Sequence, residues 1–573
     1  MCSVAGGVGI PSQGAVREMI LRTAYRGPDG QGFYRAPASR PVVVLGHARL
    51  AIVDVERGAQ PISDETGRTW VVANGEIYNH QQLRRLLEGR GHRFATGADT
   101  EVVAHLLEEA LDGPVPEEAP GRADDGFPAP AERLARRVAA QIARLHGMYA
   151  IGAWRDLGTG RGGYLVLARD PVGIRPLYWA TAGGRSVYFA SEIKAIRIVS
   201  REYREFPPGA VAVFAVDGAG NVQGPAWAMP HDLPWEAAHR SGRQDGHHQA
   251  AVHGEDGSGA AMWTPERATA RLHKLLSLAV LRRLMADVPV GVLLSGGLDS
   301  SLVAALAREH HTGPLHSFAA GTQGSPDLEA SREVARILQT RHHVRTFAEA
   351  EARRALPSII YHLESFDAPL VRSAVANYFV FETVSDHVKV ALSGEGSDEL
   401  FAGYESLAGL EGARLDAELG RLVGNLHHTN LQRADRMGLA FGVEARVPFL
   451  DMDVVRYAFR LPAHLKRRRV GDRVVDKWVV RAVAERAPLP PGIAHRPKAK
   501  FSQGSGAAGL LRHLAQEMLS DGEWRRLQAR YPEEVAGSRE QALYLRIFLD
   551  YFPEEAARAI MGTTLSVVPG EVA

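Results

Sequence analysis

The chain has 573 residues, 45% of them hydrophobic and 23% charged, with a formal net charge of +1. That length calls for more than one domain, and the even charge balance removes the electrostatic case for a nucleic-acid partner. No uncharged apolar run reaches the ~18 residues a membrane span needs, no basic-then-apolar leader opens the chain, and a single cysteine forbids an internal disulfide; a cytoplasmic enzyme is expected.

That one cysteine is Cys2, directly behind the initiator Met. If Met1 is removed, Cys2 carries a thiol and a free α-amine together. An α-amine titrates near 7.7–8.0 and can act as general base for its own thiol. Cys2 to Gly7 is expected as a short strand bearing this nucleophile, and Arg26-Gly27-Pro28-Asp29-Gly30 as a turn. Val42–Val53 is rich in β-formers and contains His47-Ala48-Arg49-Leu50. Val71–Ala73 is a strand running into Asn74-Gly75-Glu76-Ile77-Tyr78-Asn79, and Gln81–Leu87 a helix. Gly97-Ala98-Asp99-Thr100-Glu101 opens the next helix, with Asp99 as its expected N-cap. Residues 112–131, rich in Pro, Glu, Asp and Gly, are expected as a surface insertion. Further strands are expected at Leu145–Trp154, Tyr164–Arg169 and Val187–Ala190.

The order Cys2, RGPDG, HARLAIVDV, NGEIYNH and GADTEV resembles the glutaminase domain of class II glutamine amidotransferases. RDPVGIRPLY from Arg169 and SEIKA from Ser191 complete the same pattern; as local structure they make a turn and a helix cap. Each fragment is weak alone, and five in order over a hundred residues are specific. The resemblance implies that Cys2 attacks the glutamine side-chain amide, that Asn74 and Gly75 supply the oxyanion hole, that Arg49 holds the substrate α-carboxylate, and that Asp99 and Glu76 face its α-ammonium. The chemistry fits: an amide and a backbone N–H suit an oxyanion, and a guanidinium suits a carboxylate.

Residues 237–260 lack apolar periodicity and are expected as linker; His247, His248 and His253 in it fit a solvated segment better than a metal site. Beyond it, Pro265–Ala286 is an amphipathic helix. Val290–Leu294 is long enough for one buried strand. Ser295-Gly296-Gly297-Leu298-Asp299-Ser300-Ser301 follows, and then a helix. A glycine turn between strand and helix puts free N–H groups and the positive dipole end at one point, which suits a phosphate or pyrophosphate. The loop lacks the Gly-Lys-Ser/Thr ending of a Walker A motif. Asp299 is a candidate Mg²⁺ ligand, since Mg²⁺ bridges phosphates through one or two carboxylates. Strands at Leu315–Ala320, His343–Phe347 and Val388–Leu392 alternate with helices at Leu328–Leu338 and Ala350–Leu363. The last strand leads into Ser393-Gly394-Glu395-Gly396-Ser397-Asp398-Glu399. This alternation predicts a parallel doubly wound sheet with ligands at the strands' carboxyl ends. There Ser393 and Gly394 would touch the nucleotide, and Asp398 would share Mg²⁺ with Asp299.

SGGLDSS resembles the pyrophosphate loop of ATP pyrophosphatases, which adenylate a substrate. With HSFAAG, SGEGSDELFAGY, GVEARVPFLD and RPKAKFS it resembles the synthetase domain of asparagine synthetase B. The combined resemblance implies an α+β N-terminal-nucleophile sandwich (αββα) at 2–225, a linker at 226–262, an α/β ATP-pyrophosphatase domain at 263–550 and a tail at 551–573. It implies ATP and Mg²⁺, small-molecule substrates and a homodimer. Ser295, Gly296, Gly297, Asp299 and Ser300 would bind ATP, with Leu294 and Ala320 lining adenine and ribose. Lys498 would stabilise charge during acyl transfer, and Glu395 would orient the acceptor and handle a proton. Arg372 would hold the acceptor's carboxylate. Pro369 and Leu370 stand where that family carries two threonines, which removes polar contacts to the acceptor.

The activity so implied is glutamine-dependent asparagine synthesis. Its alternative is the same machinery acting on another carboxylate. A β-lactam-synthetase-like cyclase would not need the intact Cys2, Arg49, Asn74 and Asp99 set, and a non-catalytic paralogue would not need the chemistry of both domains.

Overall fold

Two antiparallel sheets and one parallel sheet carry the chain, in two compact units, Met1–Leu233 and Pro234–Ala573. The computed structural model describes residues 2–10, 12–36, 42–112, 130–158, 161–183, 185–241, 263–471, 473–497 and 504–557. Most of the expected insertion, most of the linker with its three histidines, Lys498 and the end of the tail lie outside the described residues. Among the described residues no helix is long and apolar enough to cross a membrane.

The first unit has strands β1 (Ser3–Val8), β2 (Gly30–Arg35), β3 (Val43–Arg49), β4 (Ile62–Ser63), β5 (Thr69–Ile77), β6 (Gly147–Asp156), β7 (Gly163–Arg169), β8 (Tyr178–Ala182), β9 (Ser186–Ala190), β10 (Arg204–Glu205), β11 (Val211–Val216) and β12 (Val222–Ala228). They form two six-stranded sheets, β10-β8-β9-β1-β3-β2 and β12-β11-β7-β6-β5-β4. The period of two sets the layers. Val72, Ala150, Leu165, Leu167, Ala212 and Phe214 face the space between the sheets, where they meet Val4, Leu45 and Phe189. Their neighbours Val71, Ile151, Val166, Ala168 and Val213 face outward into a second core with the helices His80–Glu88, Glu101–Leu111 and Pro130–Ile142. The helix Gln13–Arg22 covers β3 on the far side, with Val16 and Ile20 against Gly46. The result is the αββα sandwich. Its waist is tight: a Cβ at Gly6 or Gly152 would lie 2.5 or 2.3 Å from the Phe189 ring.

The second unit's main sheet has β13 (Val290–Leu293), β14 (His316–Gly321), β15 (Arg341–Thr346), β16 (Val390–Leu392) and β17 (Glu444–Arg446), all parallel, in the order β15-β14-β13-β16-β17. The order reverses between β13 and β16. Ligands of open α/β sheets bind beside the strand ends at such a switch point, and the SGGLDSS and SGEGSDE loops leave these two strands.

The segment 226–262 begins inside β12 and includes a helix of the second unit, Pro234–Ser241, whose Trp235 is buried near Phe459.

Candidate active sites

In the first unit, Cys2 lies at the head of β1, held between β9 and β3. It is 7% exposed, and its Sγ is 4.0 Å from the carbonyl oxygen of Leu50. Its backbone nitrogen donates to Asn74 Oδ1 at 3.2 Å. The other end of that amide is the informative one: Asn74 Nδ2 is buried and has no hydrogen-bond partner. A buried donor left unpaired costs about 1–3 kcal/mol, so its retention beside a thiol points to a transient acceptor. Gly75 follows with φ +141°, and a Cβ there would sit 1.8 Å from the Met148 carbonyl oxygen, so β5 can pass β6 here only as glycine.

Arg49 ends β3. Its Nη1 donates to Val55 O at 2.8 Å and its Nη2 to Asp54 O at 2.6 Å, which fixes the guanidinium over the 53–55 loop. Asp99 is not the N-cap expected for it: the helix starts at Glu101 with Thr100 at the cap position. Asp99 Oδ2 instead accepts the N–H of Ile77 at 2.7 Å. The carboxylate is drawn to the end of β5, the strand that carries Asn74, Gly75 and Glu76. Five of the predicted residues thus sit on two neighbouring segments beside Cys2 or are pinned to them.

A network behind Cys2 was not legible. Arg26 Nε donates to the Cys2 carbonyl at 3.2 Å, and its Nη1 meets Glu192 Oε1 at 2.5 Å. Glu192 also takes Lys194 Nζ at 2.6 Å and the Tyr25 hydroxyl. Arg26 and Glu192 are fully buried. Read singly, RGPDG and SEIKA give a turn and a helix cap; folded, they clamp the backbone of the nucleophile. Asp170 of RDPVG is structural: fully buried, it accepts the N–H groups of Ile174 and Arg175 at 2.9 and 3.0 Å, and burial pushes its carboxyl up.

In the second unit, Leu294 donates to Phe318 O at 2.7 Å, closing β13 before the loop. Gly296 (φ +75°) packs so close to Ala330 and Ser331 that a Cβ would lie 2.6 Å from both. Gly297 caps the helix Leu298–His310, and Ser295 Oγ and Ser300 Oγ are 3.0 Å apart across the turn. From β16, Ser393 donates to Arg446 O, and Gly394 approaches Asp299 and Ser300 to within 2.9 Å of its absent Cβ. The two loops therefore touch at the switch point. Ala320, near the end of β14, is buried one strand away.

Asp299 Oδ2 and Asp398 Oδ1 converge on one cation, Lys477 Nζ, at 2.7 and 2.6 Å. Lys477 is 2% exposed and takes a left-handed conformation (φ 48°) that turns its stem inward. Asp299 Oδ1 remains buried without a partner. Two carboxylates thus meet beside one open oxygen of Asp299, a donor set that fits Mg²⁺. Beside them Glu399 accepts from Tyr404 and Asn430, and burial, then Asp398, pushes its carboxyl up to about 7. Glu395 is ion-paired with Arg433. Arg496, two residues before Lys498, donates to the Gly296 carbonyl at 2.8 Å and pairs with Asp327 at 2.9 Å, so its side chain reaches the SGGLDSS loop.

Arg372 departs from expectation. Its Nε and Nη2 both face Glu540 at 2.6–3.0 Å, and this pairing holds the guanidinium still more firmly protonated. A carboxylate clamp is not preformed there: a ligand must use Nη1 or displace Glu540. Pro369 and Leu370 lie in the first turn of the helix Ala368–Ser385, capped by Asp367, and Leu370 is buried.

Residues 47–198 match the glutamine amidotransferase domain family, and residues 271–415 and 408–559 match asparagine synthase. The Arabidopsis thaliana protein named asparagine synthetase [glutamine-hydrolyzing] 2 is 34% identical over 584 residues, covering 98% of this chain and 89% of that one. The probable asparagine synthetase [glutamine-hydrolyzing] of Dictyostelium discoideum is 32% identical over 93% of this chain and 89% of its own. A solved glutamine phosphoribosylpyrophosphate amidotransferase from B. subtilis overlaps 56% of this chain and 67% of its own, at 20% identity and a TM-score of 0.30, too slight a likeness to argue from. On its full-length relatives, the chain belongs to the family of glutamine-hydrolysing asparagine synthetases.

Proposed function

We propose that this chain makes asparagine from aspartate, glutamine and ATP, yielding glutamate, AMP and pyrophosphate. The observation that carries the reading is the pairing, in one chain, of an N-terminal cysteine beside a buried unpartnered amide N–H with a switch-point loop whose acid ligands converge on Lys477.

In the first unit Cys2 Sγ attacks the glutamine amide carbon, and the α-amine of Cys2 takes the thiol proton and passes it to the leaving ammonia. Asn74 Nδ2 and the Gly75 N–H receive the oxyanion. Arg49 holds the α-carboxylate, while Asp99 and Glu76 hold the α-ammonium. Water then releases glutamate from the thioester. Arg26 and Glu192 keep the Cys2 backbone in place.

In the second unit the loop residues Ser295, Gly296, Gly297 and Ser300 hold the phosphates, with Leu294, Ala320, Ser393 and Gly394 around the nucleoside. The β-carboxylate attacks the α-phosphorus, giving an acyl-adenylate and pyrophosphate. Mg²⁺, when bound, would neutralise phosphate charge, and Asp299 and Asp398 are the residues that would hold it. Ammonia from the first unit attacks the acyl carbon, Glu395 takes a proton, and AMP leaves. Lys477 joins Lys498 as a cation for the phosphates and the tetrahedral intermediate. A cytoplasmic homodimer completes the proposal.

Cys2 can serve as its own base only with a free amine. Intact mass of the active protein is therefore expected to lack Met1; glutaminase activity in a sample that retains Met1 would refute the mechanism.

One feature favours the alternative acceptor: the Arg372 pairing to Glu540, together with the apolar Pro369 and Leu370. Each hydrogen bond lost to a charged ligand costs roughly 1.5–3 kcal/mol. With ATP, Mg²⁺ and ammonium, millimolar aspartate is expected to give asparagine and AMP in equal amounts. AMP release with another carboxylate, and none with aspartate, would transfer the assignment to that acceptor.

A further inference from the structure

The first unit holds a second group of titratable side chains that the glutaminase chemistry leaves unused. Glu65 lies in the turn between β4 and β5, and His92 lies in the loop after the helix His80–Glu88. His105 and Glu108 are three residues apart on one face of the helix Glu101–Leu111. His92 Nδ1 is 3.0 Å from Glu65 Oε1 and 3.4 Å from Glu108 Oε2. His105 Nδ1 is 2.7 Å from Glu65 Oε2 and 3.9 Å from Glu108 Oε2. Two Nδ1 atoms and two carboxylates thus face one point. One ligand atom from each of the four side chains lies within 4.8 Å of the others, close enough for all four to turn onto one ion.

The outer nitrogens repeat one arrangement. His92 Nε2 faces Glu109 Oε1 at 3.5 Å, and His105 Nε2 faces Glu101 Oε1 at 3.8 Å. Both backing carboxylates are themselves anchored. Glu101 accepts the N–H groups of Ala95 and Thr96 at 2.6 and 2.8 Å, and Glu109 accepts from Arg90 at 2.8 Å. A carboxylate behind the second ring nitrogen is how proteins orient metal-ligating histidines.

Burial supplies an independent sign. His105 is fully buried, yet neither ring nitrogen has an aligned hydrogen bond, and Glu108 Oε2 is buried and equally unpaired. The carboxylates lie near the ring but off its N–H axes.

We propose that Glu65, His92, His105 and Glu108 bind a divalent transition-metal ion, with zinc as the first choice. Two imidazoles and two carboxylates suit zinc over Mg²⁺. Four protein ligands leave no open position, so the ion is structural. It ties the β4–β5 turn and the loop around His92 to the helix Glu101–Leu111, just after the segment that carries Asp99.

The test uses the full chain, stripped with a chelator and kept in millimolar Mg²⁺ so that hard oxygen sites are filled. It is titrated with ZnCl₂ and, separately, with CoCl₂. Wild type is expected to take up one more equivalent of zinc than either His92→Gln or Glu65→Gln, whose side chains are 13% and 27% exposed. Cobalt is expected to give visible d–d bands in wild type that both variants lose. Glu109→Gln, which alters only a backing carboxylate, is expected to weaken zinc binding about 10–100-fold. A second histidine group, His316, His343 and His387, is untouched by these changes and supplies a constant background. Wild type that binds no zinc overturns the proposal, as does equal uptake by wild type and the two ligand variants.

Discussion

Cys2→Ala is expected to abolish glutamine-driven synthesis while synthesis from added ammonium survives. Removing a covalent nucleophile costs on the order of 10⁴-fold or more in turnover, because no neighbouring group can replace it. The structural cost is small. Alanine keeps the backbone N–H that donates to Asn74 and the carbonyl that Arg26 holds. The deletion removes one sulfur atom, which lies 4.0 Å from the Leu50 carbonyl oxygen. The fold of the first unit should therefore persist, and the second unit, which has its own core and its own site, should still form AMP when ammonium is supplied. The measurement is paired: asparagine formed from glutamine and from ammonium, at the same enzyme concentration. Loss of both activities in a folded variant would contradict the division of labour between the units.

The sequence revealed most where chemistry and local structure coincide. SGGLDSS announces both a strand-to-helix turn and an anion site, and the structure places it beside SGEGSDE at the one reversal of strand order. Of the first unit's strands, β1, β3, β5, β6, β7 and β9 were legible from their β-forming residues, while β2, β4, β8 and β10 to β12 were not; alternation along them divides their side chains between two cores. What escaped were contacts between residues far apart in sequence. Lys477 lies 178 residues from Asp299, in a stretch (VVDKW) with no feature of its own. Arg26 and Glu192 lie 166 residues apart, and each looks local until they pair. Asp99 failed as an N-cap because a strand-end N–H competes for the same carboxylate. Arg372 shows the converse: a charged residue predicted for a ligand is already satisfied by Glu540, 168 residues away on the helix Arg539–Leu549, for which the sequence reading had no expectation.

The buried Asp299–Lys477–Asp398 group yields the second large effect, in which activity and stability separate. Asp299→Asn or Asp398→Asn leaves Lys477 paired with one remaining carboxylate, so the buried ammonium is not stranded. Folding should hold. AMP formation should fall by on the order of 10²–10³-fold, the usual loss when a group aimed at transition-state charge is removed, while glutaminase activity stays unchanged. Lys477→Met acts differently. It deletes the ammonium that bridges the two carboxylates, and Asp299 and Asp398, 14% and 13% exposed, then face one another without it. Breaking a buried pair by removing one partner costs about 3–5 kcal/mol. Lys477→Met should therefore lose AMP formation and also unfold the second unit at lower denaturant, whereas the two Asp→Asn variants unfold like wild type. Millimolar Mg²⁺ should restore part of the lost stability of Lys477→Met, since a divalent ion can take the place of the ammonium between two carboxylates. Equal ATP turnover in wild type and Asp299→Asn would show that the metal is held elsewhere. A Lys477→Met variant as stable as wild type would show that the ammonium is not what keeps the two acids together.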